Sequence, residues 1–214
     1  MYMIRTSFLI DGFNLYHSLI EASRDLHGAK TKWLDIKSIC FSFLPAIDKT
    51  AKFEKIYYFS ALADHMTSKD TGKVKRHMDY IKCLQSTGVI VRLGRFKPKT
   101  VWCDLCKNEL TRYEEKETDV AISIKLMEIL MRDESDMVVL VTGDTDLAPA
   151  VKTVKRLFPV KKVTFLFPYK RKNNELANLA DMSFKIKKER YTQHQFPDPV
   201  ILHDGNKIHK PASW

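Results

Sequence analysis

Two aspartates stand directly after short apolar runs, where an α/β protein usually carries its chemistry. Asp11 follows Phe8-Leu9-Ile10, and Asp144 follows the run 138–141 after two intervening residues. If both runs are buried parallel strands, their carboxyl ends share one edge of the sheet, beyond which ligands bind. The sequence therefore predicts that the Asp11 and Asp144 carboxylates converge in one crevice.

Two further aspartates are placed to join them. Asp146 lies at the predicted start of the helix after Asp144, and Asp119 lies in the first turn of another predicted helix. Several carboxylates in one crevice repel one another unless a cation neutralises them. Mg²⁺ and Mn²⁺ prefer oxygen ligands, keep several waters and lower the pKa of a water that attacks a phosphodiester. The cluster thus predicts metal-dependent phosphodiester hydrolysis.

Each aspartate taken singly has a simpler interpretation. Asp11 before Gly12 suits a turn, Asp144 or Asp146 suits a helix N-cap, and Asp119 suits a first helical turn because of the helix dipole. Caps are far commoner than metal ligands. Only the joint placement of the four residues favours the metal site.

Apolar runs alternate with helical patterns along most of the chain. The predicted strands are 7–10, 55–59, 89–93, 137–141 and 163–167, with a further edge at 183–186. The predicted helices are 14–22, 35–44, 68–85, one after Thr118 and 147–157. This alternation predicts βαβ units, and so an α/β fold with a mostly parallel sheet and helices on both faces.

Three regions depart from that simple pattern. Residues 95–113 contain Pro98 and show little periodicity, which predicts an inserted, cysteine-containing loop. The helix after Thr118, with Thr118 as its cap, is expected to bury a stripe formed by Val120, Ile124, Met127 and Met131. One domain is expected over residues 1–190, followed by a tail, 191–214, that is loosely ordered or docks in extended form.

Three segments resemble motifs of one known family. The segment Phe8-Leu9-Ile10-Asp11-Gly12-Phe13-Asn14-Leu15 is similar to the opening motif of NYN domains, the LabA-like group of the PIN-like nucleases. Residues 115–121 (EKETDVA) and 141–147 (VTGDTDL) resemble the second and third motifs, in the same order and at similar separations. The resemblance covers about residues 5 to 187.

The resemblance implies a Rossmann-like PIN fold, a divalent-metal site and ribonuclease activity. Asp11, Asp119, Asp144 and Asp146 match the acidic positions of the family, and Asn14 matches an asparagine that supports the site. Thr142 matches a hydroxyl residue that would bond a metal-bound water, hold Asp144 or bond backbone at the strand end. Thr145 departs from the serine of many relatives but keeps the hydroxyl group.

Charge indicates the class of partner. Lys and Arg number 36 against 26 Asp and Glu, a formal net charge of +10, which attracts polyanions through counterion release. RNA is the expected partner, with phosphate contacts predicted at Lys116, Lys170, Arg171 and Lys172. A basic surface that serves only solubility is the alternative.

The cysteines allow a second metal hypothesis. Cys103 and Cys106 have the spacing of half a zinc knuckle, but the other half is missing, which favours a pair of reduced thiols in a loop.

No apolar run is long enough to span a bilayer and the N-terminus lacks a signal-peptide pattern, so no membrane partner and a cytoplasmic location are expected. Disulfides are then disfavoured. The oligomeric state stays open, a homodimer included.

Three functions differ in how well they account for these features. A metal-dependent endoribonuclease explains the carboxylates and the charge together. A non-catalytic RNA-binding module of the same fold is the alternative, since family membership does not guarantee catalysis. A nucleotide-binding signalling domain is disfavoured because no Gly-x-Gly-x-x-Gly follows the first strand.

Overall fold

A seven-stranded sheet forms the centre of the computed structural model, which describes residues 3–66 and 70–214. Its strands are β1 (Ile4–Asp11), β2 (Ala51–Ala61), β3 (Ile90–Cys103), β4 (Asn108–Lys116), β5 (Met137–Val141), β6 (Lys162–Phe167) and β7 (Met182–Lys185). The spatial order is β4-β3-β2-β1-β5-β6-β7, and every pairing is parallel except that of β3 with β4. The predicted mostly parallel α/β fold is confirmed.

Helices cover both faces of the sheet. They are α1 (Gly12–Asp25), α2 (Ile36–Phe41), α3 (Leu44–Ile47), α4 (Thr71–Ser86), α5 (Thr118–Met131), α6 (Ala148–Leu157), α7 (Asn174–Leu179) and α8 (Lys188–Gln193). One buried cluster joins α1, α2 and α4 to one face, and a second joins α5, α6 and α7 to the other. The central strands are apolar without alternation because both of their faces are buried. The predicted start of α4 near Ser68 lies outside the described residues.

The strand order reverses between β1 and β5. From β1 the sheet grows through β2 and β3 in one direction, and from β5 through β6 and β7 in the other. Ile10 pairs with Val141, so the two strands end side by side. A crevice opens at such a switch point because the following helices leave toward opposite faces.

The segment 95–113 is a β-hairpin, so the prediction of a loop was wrong. From Arg95 to Cys103, strand β3 leaves β2 and pairs with β4 alone. Most of its side chains are exposed on both faces, so the hairpin lacks the apolar alternation of a half-buried strand. At its base, a Cβ on Gly94 would lie 2.7 Å from the Lys116 carbonyl oxygen, which makes glycine the fitting residue there.

Helix α5 buries a different face from the predicted one. Val120, Ile124 and Met131 are exposed, whereas Ile122, Leu126, Ile129 and Leu130 are buried. Apolar residues occur around most of this helix, so spacing alone does not identify the inner face. Thr118 is the first helical residue rather than the cap, because Glu117, with φ 82°, precedes the helix.

The C-terminal segment, residues 191–214, docks on the core. Tyr191, Phe196 and Val200 are buried, and the Trp214 ring lies 6.1 Å from that of Trp33 between centroids. Two short strands, β8 (Val200–Ile201) and β9 (Lys207–Ile208), form a separate antiparallel pair. Across residues 3–66 and 70–214, no helix has the length and apolar character that crossing a membrane requires.

Candidate metal centre

Three carboxylates converge at the switch point. Asp11 at the end of β1, Asp119 in the first turn of α5 and Asp144 just beyond β5 each offer an oxygen within 4.8 Å of the others. In the described part of the chain, no other group of three His, Cys, Asp or Glu side chains meets this condition. The sheet topology thus brings Asp11 together with two residues that lie more than a hundred positions away along the chain.

Asp11 is held by hydrogen bonds to both of its oxygens. Its Oδ1 accepts from the Asn14 backbone N–H at 2.9 Å, which caps α1, and its Oδ2 accepts from the Thr142 hydroxyl at 2.8 Å. Capping and site formation are therefore performed by the same carboxylate. Asp11 is only 4% exposed, so its orientation is fixed before any ligand binds.

Two hydrogen bonds connect the end of β1 and the start of α1 to the loop after β5. The Asn14 side-chain oxygen accepts from the Gly143 N–H at 3.0 Å. The Thr142 hydroxyl, besides donating to Asp11, accepts from the Asp144 N–H at 3.1 Å. Of the roles predicted for Thr142, the structure thus shows the bond that holds Asp144, made to its backbone N–H, whereas the contact to Asp11 was not predicted. Asn14 and Thr142 are positioning residues here.

Gly143 allows a second loop to reach the site. A Cβ at this position would lie 1.9 Å from the Arg171 carbonyl oxygen, closer than any side chain permits. The glycine therefore lets the loop after β6 approach the strand end, and Arg171 lines the site as a result. Its guanidinium pairs with Glu21 at 2.5 Å, while its Nε is buried without a hydrogen-bond partner among the described residues.

The site forms a small acidic cavity of about 160 Å³. Its lining residues are Asp11, Phe13, Asn14, His17, Glu115, Thr118, Asp119, Asp144 and Arg171. Burial and the neighbouring carboxylates of Asp11 and Asp144 raise the pKa of Asp119 to about 6. Burial also raises the pKa of Asp11, against the lowering effect of its two hydrogen bonds.

This donor set fits a hard divalent cation. All three converging ligand atoms are carboxylate oxygens, which Mg²⁺ and Mn²⁺ prefer over nitrogen and sulfur. Burial and mutual repulsion both oppose the ionised forms, as the raised pKa of Asp119 shows. A bound cation would relieve this repulsion and favour ionisation.

Glu115 is a site residue to which the sequence analysis gave no role. It lies near the end of β4, lines the cavity and accepts hydrogen bonds from the Thr118 N–H at 3.2 Å and from the Thr118 hydroxyl. Because the hairpin was taken for a loop, nothing placed Glu115 beside a strand end. Its position four residues before Asp119 was the available signal.

Asp146 stays at the margin of the site. Its side chain is exposed and outside the three converging carboxylates, and its backbone N–H donates to Asp144 Oδ1 at 3.0 Å. Its charge still contributes to the raised pKa of Asp119. The structure therefore brings together three of the four predicted aspartates.

The predicted RNA contacts are spread around the site. Arg171 lines the cavity, whereas Lys170 pairs with Asp25 at 2.5 Å and Lys116 pairs with Glu114 at 2.9 Å. Lys172 is exposed. Their roles in binding RNA stay predictions.

Cys103 and Cys106 lie at the turn of the hairpin, far along the chain from any partner motif. Hydrogen bonds from Cys106 lower the pKa of Cys103, and no third His, Cys, Asp or Glu completes a group with them in residues 3–66 and 70–214. Cys40 and Cys83 are buried, and burial raises the pKa of both thiols. The described residues thus supply no tetrahedral zinc site around this pair.

Metal affinity is expected to depend on pH near the pKa of Asp119. Because the ion binds the ionised carboxylate, affinity should be level above about pH 7 and fall at least about tenfold per unit below pH 6. Calorimetric titration of Mn²⁺ at pH 5, 6 and 7.5 measures this. Equal affinity at the three values would show that Asp119 is not a ligand.

Comparison with known proteins assigns the chain to a family. A model of the NYN domain matches residues 5–187, whereas no curated protein sequence matches the chain. A protein of unknown function, VPA0982 from Vibrio parahaemolyticus RIMD 2210633, superposes with a TM-score of 0.55 at 20% identity, over 86% of this chain and 94% of that one. This likeness shows the fold alone.

A second solved structure is more distant. A deacetylase of teicoplanin biosynthesis, solved in complex with teicoplanin, gives a TM-score of 0.34 at 10% identity over 74% of this chain and 68% of that one. That similarity is too weak to support any conclusion. The domain match is what identifies the chain as a member of the NYN domain family, within the PIN-like superfamily of nucleases.

Proposed function

We propose that this protein is a divalent-metal-dependent endoribonuclease. The observation that carries the proposal is the convergence of the Asp11, Asp119 and Asp144 oxygens within 4.8 Å at the switch point of the sheet. Membership of a PIN-like nuclease family supports the same chemistry. Mg²⁺ or Mn²⁺ is the proposed cofactor.

Each residue of the site would have a distinct role in this reaction. Asp11, Asp119 and Asp144 would hold the ion, which would supply Lewis-acid activation of water and neutralise charge on the phosphate. Asn14 and Thr142 keep Asp11 and the loop after β5 in register. The unpartnered Nε–H of Arg171 is a donor available to a phosphate oxygen.

Asp146 and the nearby cations would act around this centre. Asp146 adds negative charge at the margin of the site. Lys116, Lys170 and Lys172 lie at or near the surface and would contact the RNA backbone outside the cavity. The net charge of +10 supports a polyanionic substrate.

The proposal is tested with a labelled single-stranded RNA and a circular RNA of the same sequence. With Mg²⁺ or Mn²⁺ the purified protein should cut both, because a circle has no end for an exonuclease. EDTA and the Asp144→Asn substitution should each abolish cutting.

The outcomes separate the two candidate functions. Cutting that survives EDTA and Asp144→Asn would overturn the metal mechanism. Salt-sensitive RNA binding without cutting, across several RNA structures and both ions, would instead favour the non-catalytic RNA-binding module.

A further inference from the structure

A second, larger cavity lies beside the metal centre. Its volume is about 750 Å³, within the range of roughly 300–1,000 Å³ that is usual for ligand sites. It shares Phe13, His17 and Glu115 with the small acidic cavity. The two cavities are therefore neighbours, and these three residues border both of them.

Aromatic rings form much of the wall. Tyr58 of β2 and Tyr80 of α4 are buried, with ring centroids 6.4 Å apart. On the hairpin side, Phe96 contacts the edge of Phe13 at 5.6 Å, and Trp214 of the docked C-terminal segment also lines the cavity. Flat apolar surfaces of this kind stack on nucleobases of any sequence.

Cationic side chains border the same cavity. Lys32, Lys73 and Arg76 line it, and Arg76 pairs with Asp70 at 2.6 Å. Lys32 and Lys73 form no ion pair with any described residue. Two half-buried ammonium groups beside aromatic rings suit a ligand that is both flat and anionic.

Polar groups that can hydrogen-bond a base also line the cavity. The Tyr58 hydroxyl is hydrogen-bonded to Ser60, and burial raises its pKa to about 12. Ser60 lies beside it, with its hydroxyl 3.5 Å from His77 Nε2. Hydroxyl and imidazole groups can bond the edges of an unpaired base.

We propose that the large cavity binds one unpaired nucleotide of the RNA strand, its base packed against Phe96 and Trp214 and its phosphate beside Lys73. The inference rests on the proposed function, since the metal centre fixes where the strand passes. The substrate class is therefore single-stranded RNA, or an unpaired loop, rather than a continuous duplex. A base in a duplex is held in its stack and cannot enter.

The first test measures binding alone, with the Asp144→Asn protein and a short single-stranded RNA. An abasic residue is placed at each position in turn. One position should weaken binding about tenfold to a hundredfold, as expected for the loss of one stacked base. Equal tolerance at every position would overturn the proposal.

The second test locates that effect in the protein. In the Asp144→Asn background, Phe96→Ala should weaken binding of the intact RNA and abolish the penalty of the sensitive abasic position. Trp102→Ala is the matched control, because Trp102 lies on the same strand, is 57% exposed and does not line the cavity. An undiminished penalty in Phe96→Ala would place the base elsewhere.

A second pair of variants guards against a folding defect in Phe96→Ala. Lys73→Ala should weaken binding severalfold, whereas Lys75→Ala should not, because Lys75 lies on the same helix but is exposed and paired with Asp79 at 2.6 Å. Equal effects of the two lysines would argue against the cavity.

Cleavage by the wild type then separates the two proposals. Cutting that tolerates an abasic residue at every position would leave the nuclease and remove the nucleotide pocket. A position-specific binding penalty without any cutting would leave the pocket and remove the nuclease. Absence of RNA binding would overturn both.

Discussion

The Asp119→Asn variant is expected to cut RNA at least about a thousandfold more slowly than the wild type, a loss of about 4 kcal/mol of transition-state stabilisation. An amide is a weaker ligand for a hard cation than a carboxylate and carries no charge. Because Asp119 enters from α5 whereas Asp11 and Asp144 follow strands, its loss opens one side of the cluster. Single-turnover cleavage at saturating Mn²⁺ measures the effect.

The same substitution is expected to stabilise the metal-free protein. Asp119 titrates near 6 in the fold and near 4 when unfolded, so its charge destabilises the fold as pH rises through about 6. The group is partly exposed, and solvent screening reduces the gain in stability from removing its charge to about 1 kcal/mol, or roughly 2–4 °C in Tm. The difference in stability between Asp119→Asn and the wild type should vanish below about pH 4.

Two control variants distinguish a site effect from a general one. Asp146→Asn should slow cleavage about tenfold at most, since its carboxylate lies outside the converging group. Glu109→Gln, on the exposed hairpin, should leave both the cleavage rate and the stability unchanged. An Asp119→Asn protein that is both fully active and no more stable would contradict the proposed centre.

The Asp136→Ala variant is expected to lower the free energy of unfolding by about 3 kcal/mol. Asp136 precedes β5 at the end of the sheet opposite the metal centre. Its carboxylate accepts from the Arg5 Nε at 3.0 Å and from the Lys161 ammonium at 3.0 Å, and its side chain is only 14% exposed. Removing it leaves Lys161, also 14% exposed, with a weaker set of partners. Thermal melts should show a Tm roughly 6–12 °C lower.

Asp133→Ala is the matched control for this prediction. Asp133 contacts the same two cations, but its side chain is 68% exposed, so its removal should cost about 1 kcal/mol or less. Arg5 and Lys161 hold the pKa of Asp136 well below its usual range. The difference between wild type and Asp136→Ala should therefore stay constant down to about pH 4 and shrink below it. Equal losses in both variants would show that burial does not decide the effect.

The fold and the centre of the site were predictable because they depend on buried apolar runs. The pattern of β1 and β5, each followed by an aspartate, was sufficient to place Asp11 and Asp144 at one strand edge. Asp119 was predictable from its place in the first turn of a helix, once the three motifs were taken together. In each case a local pattern determines on which element the residue lies. The parallel topology then brings these elements to one edge of the sheet.

The hairpin and the inner face of α5 were not predictable from periodicity. Two exposed strands pair through their backbones, and backbone pairing leaves no apolar signature in the sequence. A helix with apolar residues such as Val120 and Ile122 on opposite sides has no single hydrophobic face. Glu115 was missed for the first of these reasons, because its placement depends on the register of the hairpin.

The exit of the hairpin from the sheet at Gly94 also separates two regions of different local stability. Beyond Gly94, the pairing of residues 95–103 with 108–116 has little buried apolar area behind it, so these residues can open while the sheet stays folded. Glu115 and Phe96 are register partners near the base of this hairpin. Local opening would thus remove one acidic wall of the metal centre and one face of the large cavity together, without global unfolding.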